Sequence, residues 1–157
     1  MSRRRVVITG LGIVSQVGNS VTEAWANILA GKSGITRIRR FDPSRLSCQI
    51  AGEVKGFDLS QYLERKEARH MDTFIHYGMA AGIQAMRDCG IQVTSENAER
   101  IGVNIGSGIG GLQMIEQTQR ELLAAGPRKI SPFFIPSVII NMISGNLSIK
   151  YGLKGPN

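Results

Sequence analysis

The sequence has 157 residues, of which 42% are apolar and 20% are charged, and its formal net charge is +7. A chain of this length can bury a substantial core, and the composition is that of a globular domain rather than a disordered or fibrous chain. No apolar run approaches the roughly 18 residues of a membrane helix, and two cysteines are too few for a disulfide framework, so we expect a cytoplasmic protein.

The N-terminal part begins with a continuous β-branched run, Arg4–Thr9, which predicts a buried strand ending at Gly10. Ser20 and Glu23 have the spacing of a capping box, in which each side chain satisfies a free backbone amide. They predict a helix that passes through Trp25 and ends near residue 31. Two short extended segments and one helical turn should follow, at residues 35–42, 49–54 and 59–63.

A long helix is predicted from Asp72 to Cys89, with Gly90 ending it. Apolar and small residues recur along it at helical spacing, and its small residues should allow close packing. The recurring residues are Phe74, Tyr77, Gly78, Ala81, Ala85 and Met86, and the small residues are Ala80, Ala81, Gly82 and Ala85.

The remaining segments continue this alternation. Ile101–Ile105 is a predicted strand, residues 112–123 are a predicted helix, and a final helix should run from Pro136 to Tyr151. Strands that alternate with helices predict an α/β domain with a largely parallel sheet.

The loop between that strand and the next helix reads IGSGIGG. Its Gly106, Gly108 and Gly111 have the G-x-G-x-x-G spacing of a dinucleotide-binding loop. The acidic residue expected ~20 positions later to hold a ribose is missing, since Pro127–Ser131 contains none. The loop is therefore a weak nucleotide candidate, a structural tight turn, or a loop whose backbone and Ile109 approach an apolar or thioester ligand.

The basic residues fall into four clusters, any one of which is typical of a solvated face. The clusters are Arg3–Arg5; Arg37, Arg39, Arg40 and Arg45; Arg65, Lys66, Arg69 and His70; and Arg128 with Lys129. On a helix, Lys66, Arg69 and His70 would share one side. Aromatic residues make up only 6% of the chain, so a nucleic acid is a poorer partner for these cations than an acidic protein or a phosphate group.

Catalytic candidates are sparse. His70 lies among cations, and His76 stands alone on the polar face of a predicted helix. Neither Cys48 nor Cys89 has a histidine nearby in the sequence. With no paired carboxylates and no metal-ligand spacing, we assign no catalytic residue, no metal and no cofactor to this chain.

Four segments together resemble one known family over the whole chain. They are VVITGLGIVSQVGNS, ERKEARHMDTFIHYGMAAGIQAM, GVNIGSGIGG and PRKISPFFIPSVIINMISGNLSIKYGLKGPN. In this order they resemble the N-terminal part of the β-ketoacyl-(acyl-carrier-protein) synthases, which are thiolase-like condensing enzymes. The GSGIGG and SPFFIPS segments are more similar to the type II enzymes than to type I.

The resemblance implies a layered α-β-α-β-α fold, a homodimer, and a decarboxylating Claisen condensation in fatty-acid elongation. The substrates would be carried by acyl and malonyl carrier protein. In that family the nucleophilic cysteine comes shortly after the dipeptide matched here by Gly155-Pro156. Residues 1–157 are therefore expected to be an N-terminal portion that precedes the nucleophile and is inactive alone.

The resemblance also implies roles for individual residues. Gly108 and Ile109 match the wall of the acyl tunnel, and Phe134 matches an aromatic side chain that reaches the partner subunit's tunnel. Lys66, Arg69, Arg128 and Lys129 match cations that face the acidic carrier protein. His70 occupies a position where lysine is common, and the final helix lies in a region used for dimer contacts. The alternatives are a carrier-binding module without activity and, less favoured, a dinucleotide-binding domain; no nucleic-acid or membrane partner is expected.

Overall fold

A computed structural model describes residues 4–157, so Arg3 of the first basic cluster lies outside the described residues. Within this range the chain forms six α-helices, two short strands and three single turns of 3-10 helix. The helices are α1 (Val21–Leu29), α2 (Arg65–Ala68), α3 (Thr73–Cys89), α4 (Leu112–Ala125), α5 (Phe134–Val138) and α6 (Met142–Tyr151). The strands are β1 (Ile35–Arg37) and β2 (Ile50–Gly52), and the 3-10 turns are Leu59–Gln61, Ala98–Arg100 and Pro127–Lys129.

The predicted cap of α1 is confirmed. The Ser20 hydroxyl accepts a hydrogen bond from the Glu23 amide at 3.2 Å, and the Glu23 carboxylate accepts one from the Asn19 amide at 2.8 Å. The returning bond thus reaches one residue further back than in the standard capping box. Past the helix end, Gly31 takes φ +65°, a conformation that L side chains avoid.

Helix α3 is the centre of the core, and its predicted bounds are confirmed by the Asp72 cap and the left-handed Gly90. The six residues that recur at helical spacing are all partly buried. The fully buried side chains lie on a rotated stripe formed by Ile75, Met79, Ala80 and Ile83.

The close packing predicted at Gly82 is confirmed, and Gly78 has the same role: both glycines admit α6. A Cβ on Gly78 would lie 2.6 Å from the Ile143 side chain, and one on Gly82 would lie 2.8 Å from the Leu147 side chain. Two glycines four residues apart therefore form a groove for two branched side chains four residues apart, which is ridges-into-grooves packing.

The predicted single helix from Pro136 to Tyr151 was wrong, because it is broken between α5 and α6. Ile139 takes an extended ψ of 141°. The carbonyl oxygens of Ser137 and Val138, which would continue the helix, instead accept hydrogen bonds from the amides of Asp72 and Gly111 at 3.2 and 3.0 Å. The break thus results from contacts with two other parts of the chain.

The two long predicted strands were also wrong. Arg4–Thr9 and Ile101–Ile105 belong to no sheet among residues 4–157, where the only sheet is the antiparallel pair of β1 and β2. Among the described residues the first segment has no partner strand, and its Val6 is 94% exposed. The second pairs irregularly with the end of the chain, through a bond from the Val103 amide to the Pro156 carbonyl at 2.8 Å.

Residues 11–13, which follow that first segment, are hydrogen-bonded to the side of α3 and belong to no sheet. The Leu11 amide donates to the Asp88 carboxylate at 2.8 Å, and the Ile13 amide donates to the Gln84 side chain at 3.2 Å. Between them, Gly12 lies so close to α3 that an added Cβ would overlap the Ala81 carbonyl oxygen. No helix within residues 4–157 has the length and hydropathy needed to cross a membrane.

Replacing Gly12 by alanine should therefore detach this segment from α3. We expect Gly12→Ala to lower the free energy of unfolding by about 1–3 kcal/mol, the usual cost of overpacking, measured by urea denaturation. Gly145→Ala is the matched control, since a Cβ on Gly145 in α6 would meet nothing within 4 Å. Equal stability of the two variants would contradict the close approach.

Candidate functional site

Asp72 joins three segments, two through its buried carboxylate and one through its backbone amide. Its Oδ1 accepts a hydrogen bond from the Thr73 amide at the start of α3, and its Oδ2 accepts one from the Met114 amide in the first turn of α4 at 2.8 Å. Its own amide donates to the Ser137 carbonyl in α5 at 3.2 Å. Asp72 is only 7% exposed, so water competes little for these bonds.

The glycine loop packs against the end of α5 through its last two glycines. Gly110 takes φ +80°, and a Cβ there would lie 2.5 Å from the Val138 carbonyl oxygen. A Cβ on Gly111 would lie 2.8 Å from the Val138 Cα. Gly106 and Gly108, by contrast, have nothing within 4 Å of where a Cβ would stand, so the described residues leave open space beside them.

This packing disfavours the dinucleotide interpretation. A phosphate bound at the start of α4 would need free amides there. The amide of Gly110 donates to the Ser107 hydroxyl, that of Gly111 to Val138, and that of Met114 to the Asp72 carboxylate. The carboxylate also places a negative charge where a pyrophosphate would lie. Of the three spaced glycines only Gly111 packs against α5, together with Gly110, which lies outside that spacing.

The two predicted apolar wall residues lie on segments that this packing joins. Ile109 is 71% exposed at the tip of the glycine loop. Phe134 is half-buried and is the first residue of α5. The hydrogen bond from Gly111 to Val138 links the loop to the other end of that five-residue helix. The structure thus places both residues on segments that a backbone hydrogen bond joins, and the Ile109 side chain is exposed.

The four predicted docking cations lie on two short elements. Lys66 is in α2 and Arg69 follows it directly, while Arg128 and Lys129 belong to the 3-10 turn before α5. All four are exposed, and none forms an ion pair within residues 4–157.

The two predicted histidine candidates have unlike surroundings. The His76 ring hydrogen-bonds the Ala68 carbonyl oxygen at 2.9 Å and so ties α3 to α2. The His70 ring stacks on Phe133, with ring centres 4.1 Å apart. Both cysteines are free thiols, and no group of three potential metal ligands occurs in the described part of the chain.

The sequence matches the family description "Beta-ketoacyl synthase, N-terminal domain" over residues 3–157. The chain belongs to the β-ketoacyl synthase family. It is 60% identical over all 157 residues to 3-oxoacyl-(acyl-carrier-protein) synthase 2 of Vibrio cholerae, and it spans 38% of the length of that relative.

Solved ketosynthases have the same fold. The ishigamide ketosynthase/chain length factor matches with a TM-score of 0.80 at 27% identity, over 99% of this chain and 39% of the other. A type II polyketide ketosynthase, bound to a hexaketide and in complex with its acyl carrier protein, matches with a TM-score of 0.75 at 24% identity, over 97% of this chain and 40% of the other. The predicted thiolase-like fold class is confirmed, and this chain holds the first portion of it.

Sequence reasoning missed the residues that assemble this portion of a ketosynthase. Asp72 was predicted only as the start of α3, although a buried aspartate can accept more bonds than one cap requires. Gly110 was passed over because it falls outside the dinucleotide spacing. Phe133 gave no signal that separates it from its neighbour Phe134.

Asp72→Ala tests the role of the carboxylate. Removing it leaves the first turns of α3 and α4 each without an acceptor, so we expect a loss of about 2–4 kcal/mol in unfolding free energy. Urea denaturation measures this loss. The matched control is Asp58→Ala, since Asp58 is an exposed cap of a single 3-10 turn and should cost less than about 1 kcal/mol. A loss at Asp72 no larger than at Asp58 would contradict the role.

Proposed function

We propose that these residues are the N-terminal part of a 3-oxoacyl-(acyl-carrier-protein) synthase that elongates fatty acids in the cytoplasm. The proposal rests on the 60% identity to a relative of that name and on the assembly around Asp72. In this reaction an acyl group passes from its carrier to a cysteine. Malonyl carrier protein then loses CO2, and the resulting carbanion attacks the thioester.

The residues present indicate which parts of such a synthase this chain supplies. Neither Cys48 nor Cys89 matches the nucleophile, and neither His70 nor His76 matches the catalytic pair. The chain spans 38% of its relative's length, and we assign the cysteine and both catalytic histidines to the remainder. What residues 1–157 supply is the non-covalent part: a wall for the acyl chain and a surface for its carrier.

The acyl wall is the part that the geometry supports best. The single observation that carries it is the close packing of Gly110 and Gly111 on Val138, which fixes the Ile109 loop against α5 and Phe134. An exposed isoleucine on a rigid glycine turn suits a saturated chain, because burying apolar surface stabilises the complex by roughly 25 cal/mol per Å². In the homodimer that we propose, Phe134 completes the partner subunit's tunnel.

The carrier surface follows from charge. Lys66, Arg69, Arg128 and Lys129 are exposed and make no ion pairs within residues 4–157, and the sequence carries a formal net charge of +7. Unpaired exposed cations steer an acidic partner and add specificity more than affinity. A ketosynthase of this fold has been solved with its acyl carrier protein bound, which supports a carrier as the partner here.

Reversing the charges of Lys66 and Arg69 tests the docking surface. In the complete synthase, Lys66→Glu with Arg69→Glu should weaken binding of the carrier about tenfold, because two attractions become repulsions. Fluorescence anisotropy of a labelled carrier measures this, and the difference should shrink at 0.5 M salt. Arg45→Glu is the control, since Arg45 is exposed on a different part of the chain. An equal loss of carrier affinity in Arg45→Glu would contradict the proposed docking site. If the wild type bound no carrier, the proposed partner would be wrong.

Enlarging Ile109 tests the acyl wall. Ile109→Phe should shorten the longest acyl chain that the complete synthase elongates, since a ring would fill space that the chain needs. Rates with carriers bearing saturated chains of increasing length measure this, and short-chain rates should stay within about twofold. Leu123→Phe, at a residue of α4 that is 79% exposed, is the control. An unchanged length limit in Ile109→Phe would show that the loop does not line the tunnel.

A further inference from the structure

The hydroxyl group of Ser107 closes the glycine loop across its tip. Its Oγ accepts a hydrogen bond from the Gly110 amide at 3.1 Å, and the residues between them are Gly108 and Ile109. Ser107 and Gly110 are both partly buried. Within residues 4–157 no backbone carbonyl accepts from the same amide, so the Ser107 hydroxyl is the group that satisfies it.

One end of this closed turn is fixed by α5 and the residues after it. The Gly111 amide donates to the Val138 carbonyl at 3.0 Å, and a Cβ on Gly110 would lie 3.1 Å from Cγ2 of Ile140. The Gly110 amide thus belongs to a stretch of backbone that packing already holds in place. A side chain bonded to that amide is held to the same support.

The tip of the loop has no such support of its own. A Cβ on Gly108 would meet nothing within 4 Å, and the Ile109 side chain is 71% exposed. The amides of these two residues donate to no backbone carbonyl within residues 4–157. Because glycine has the widest conformational freedom, Gly106 and Gly108 would let an unclosed tip move. The Ser107 bond is therefore the contact that fixes the tip.

We propose that Ser107 is a positioning residue that sets how sharply the synthase discriminates acyl chains by length, which rests on the acyl wall proposed above. Ser107 acts through Ile109, whose side chain would meet the acyl chain. An apolar wall of fixed position discriminates one methylene by roughly 10–200-fold. A wall that moves aside loses this discrimination, because it yields to the longer chain.

Removing the hydroxyl frees the wall. In Ser107→Ala the Gly110 amide loses its acceptor, and a partly buried amide without a partner carries a desolvation cost. The loop relieves this cost by opening until water reaches the amide. The open space beside Gly108 allows this movement, and Ile109 moves with the tip.

The test is the chain-length profile of the complete synthase with saturated acyl carriers. The measured quantity is the ratio of kcat/KM for the longest chain elongated efficiently to kcat/KM for a chain two carbons longer. We expect Ser107→Ala to lower this ratio about three- to tenfold, the effect of one hydrogen bond. Ser107→Thr retains the hydroxyl and should keep the wild-type ratio. Ser33→Ala is the matched control, since the Ser33 hydroxyl accepts from the Ile35 amide at 3.2 Å at the start of β1, and it should also keep the ratio.

A double-mutant cycle with Ile109 shows whether Ser107 acts through that side chain. In an Ile109→Ala background, Ser107→Ala should change the ratio by less than about twofold, since the group that Ser107 positions is gone. An equal loss in both backgrounds would overturn the inference, as would a loss in Ser107→Thr equal to that in Ser107→Ala.

Hydrogen–deuterium exchange on the wild-type synthase tests the bond without any substitution. The Gly110 amide should exchange more slowly than the Gly108 and Ile109 amides, and equal exchange at all three would contradict the closed turn. An unchanged ratio in Ser107→Ala, with the length limit still shortened by Ile109→Phe, would overturn the inference alone. If Ile109→Phe leaves the limit unchanged, the acyl wall itself is wrong and the inference is wrong with it.

Discussion

One buried carboxylate determines how this part of the ketosynthase is assembled. Asp72 accepts from Thr73 and Met114, and its own amide donates to Ser137, so α3, α4 and α5 meet at a single residue. A charge that is 7% exposed must be hydrogen-bonded to be tolerated. The need to satisfy this carboxylate therefore restricts the relative positions of α3 and α4, and the backbone amide of the same residue restricts that of α5.

The position of the glycine loop follows from this restriction. Because the first turn of α4 is bonded to Asp72, the glycine loop before it lies against Val138, and this contact uses the carbonyl that would otherwise have continued α5 into α6. The same bonds occupy the amides that a phosphate would need, so a loop with dinucleotide spacing becomes the support of an apolar side chain, Ile109.

The sequence predicts features that depend on neighbouring residues. The Ser20 cap, the bounds of α3 and the family were all correct, since caps, periodicity and motif order are local patterns. The break at Ile139 could not be predicted, because it depends on bonds from Asp72 and Gly111, and the role of Gly110 depends on its contact with Val138; in each case the partners are distant in sequence. The strands at Arg4–Thr9 and Ile101–Ile105 were mispredicted for a related reason: strand propensity gives no strand without a partner to pair with. The site residues stay predictions, supported by their placement on adjoining segments.

Hydrogen–deuterium exchange on the complete synthase, wild type against Asp72→Ala, tests the central claim most directly. The account predicts that amides in residues 106–115 and 137–142 lose protection together with those at the start of α3, because the side chain bonds the first turn of α4 to α3 and the glycine loop before α4 in turn bonds Val138. Exchange that increases only in residues 73–76, with the glycine loop and the α5–α6 junction unchanged, would show that Asp72 is merely a helix cap and would contradict the account.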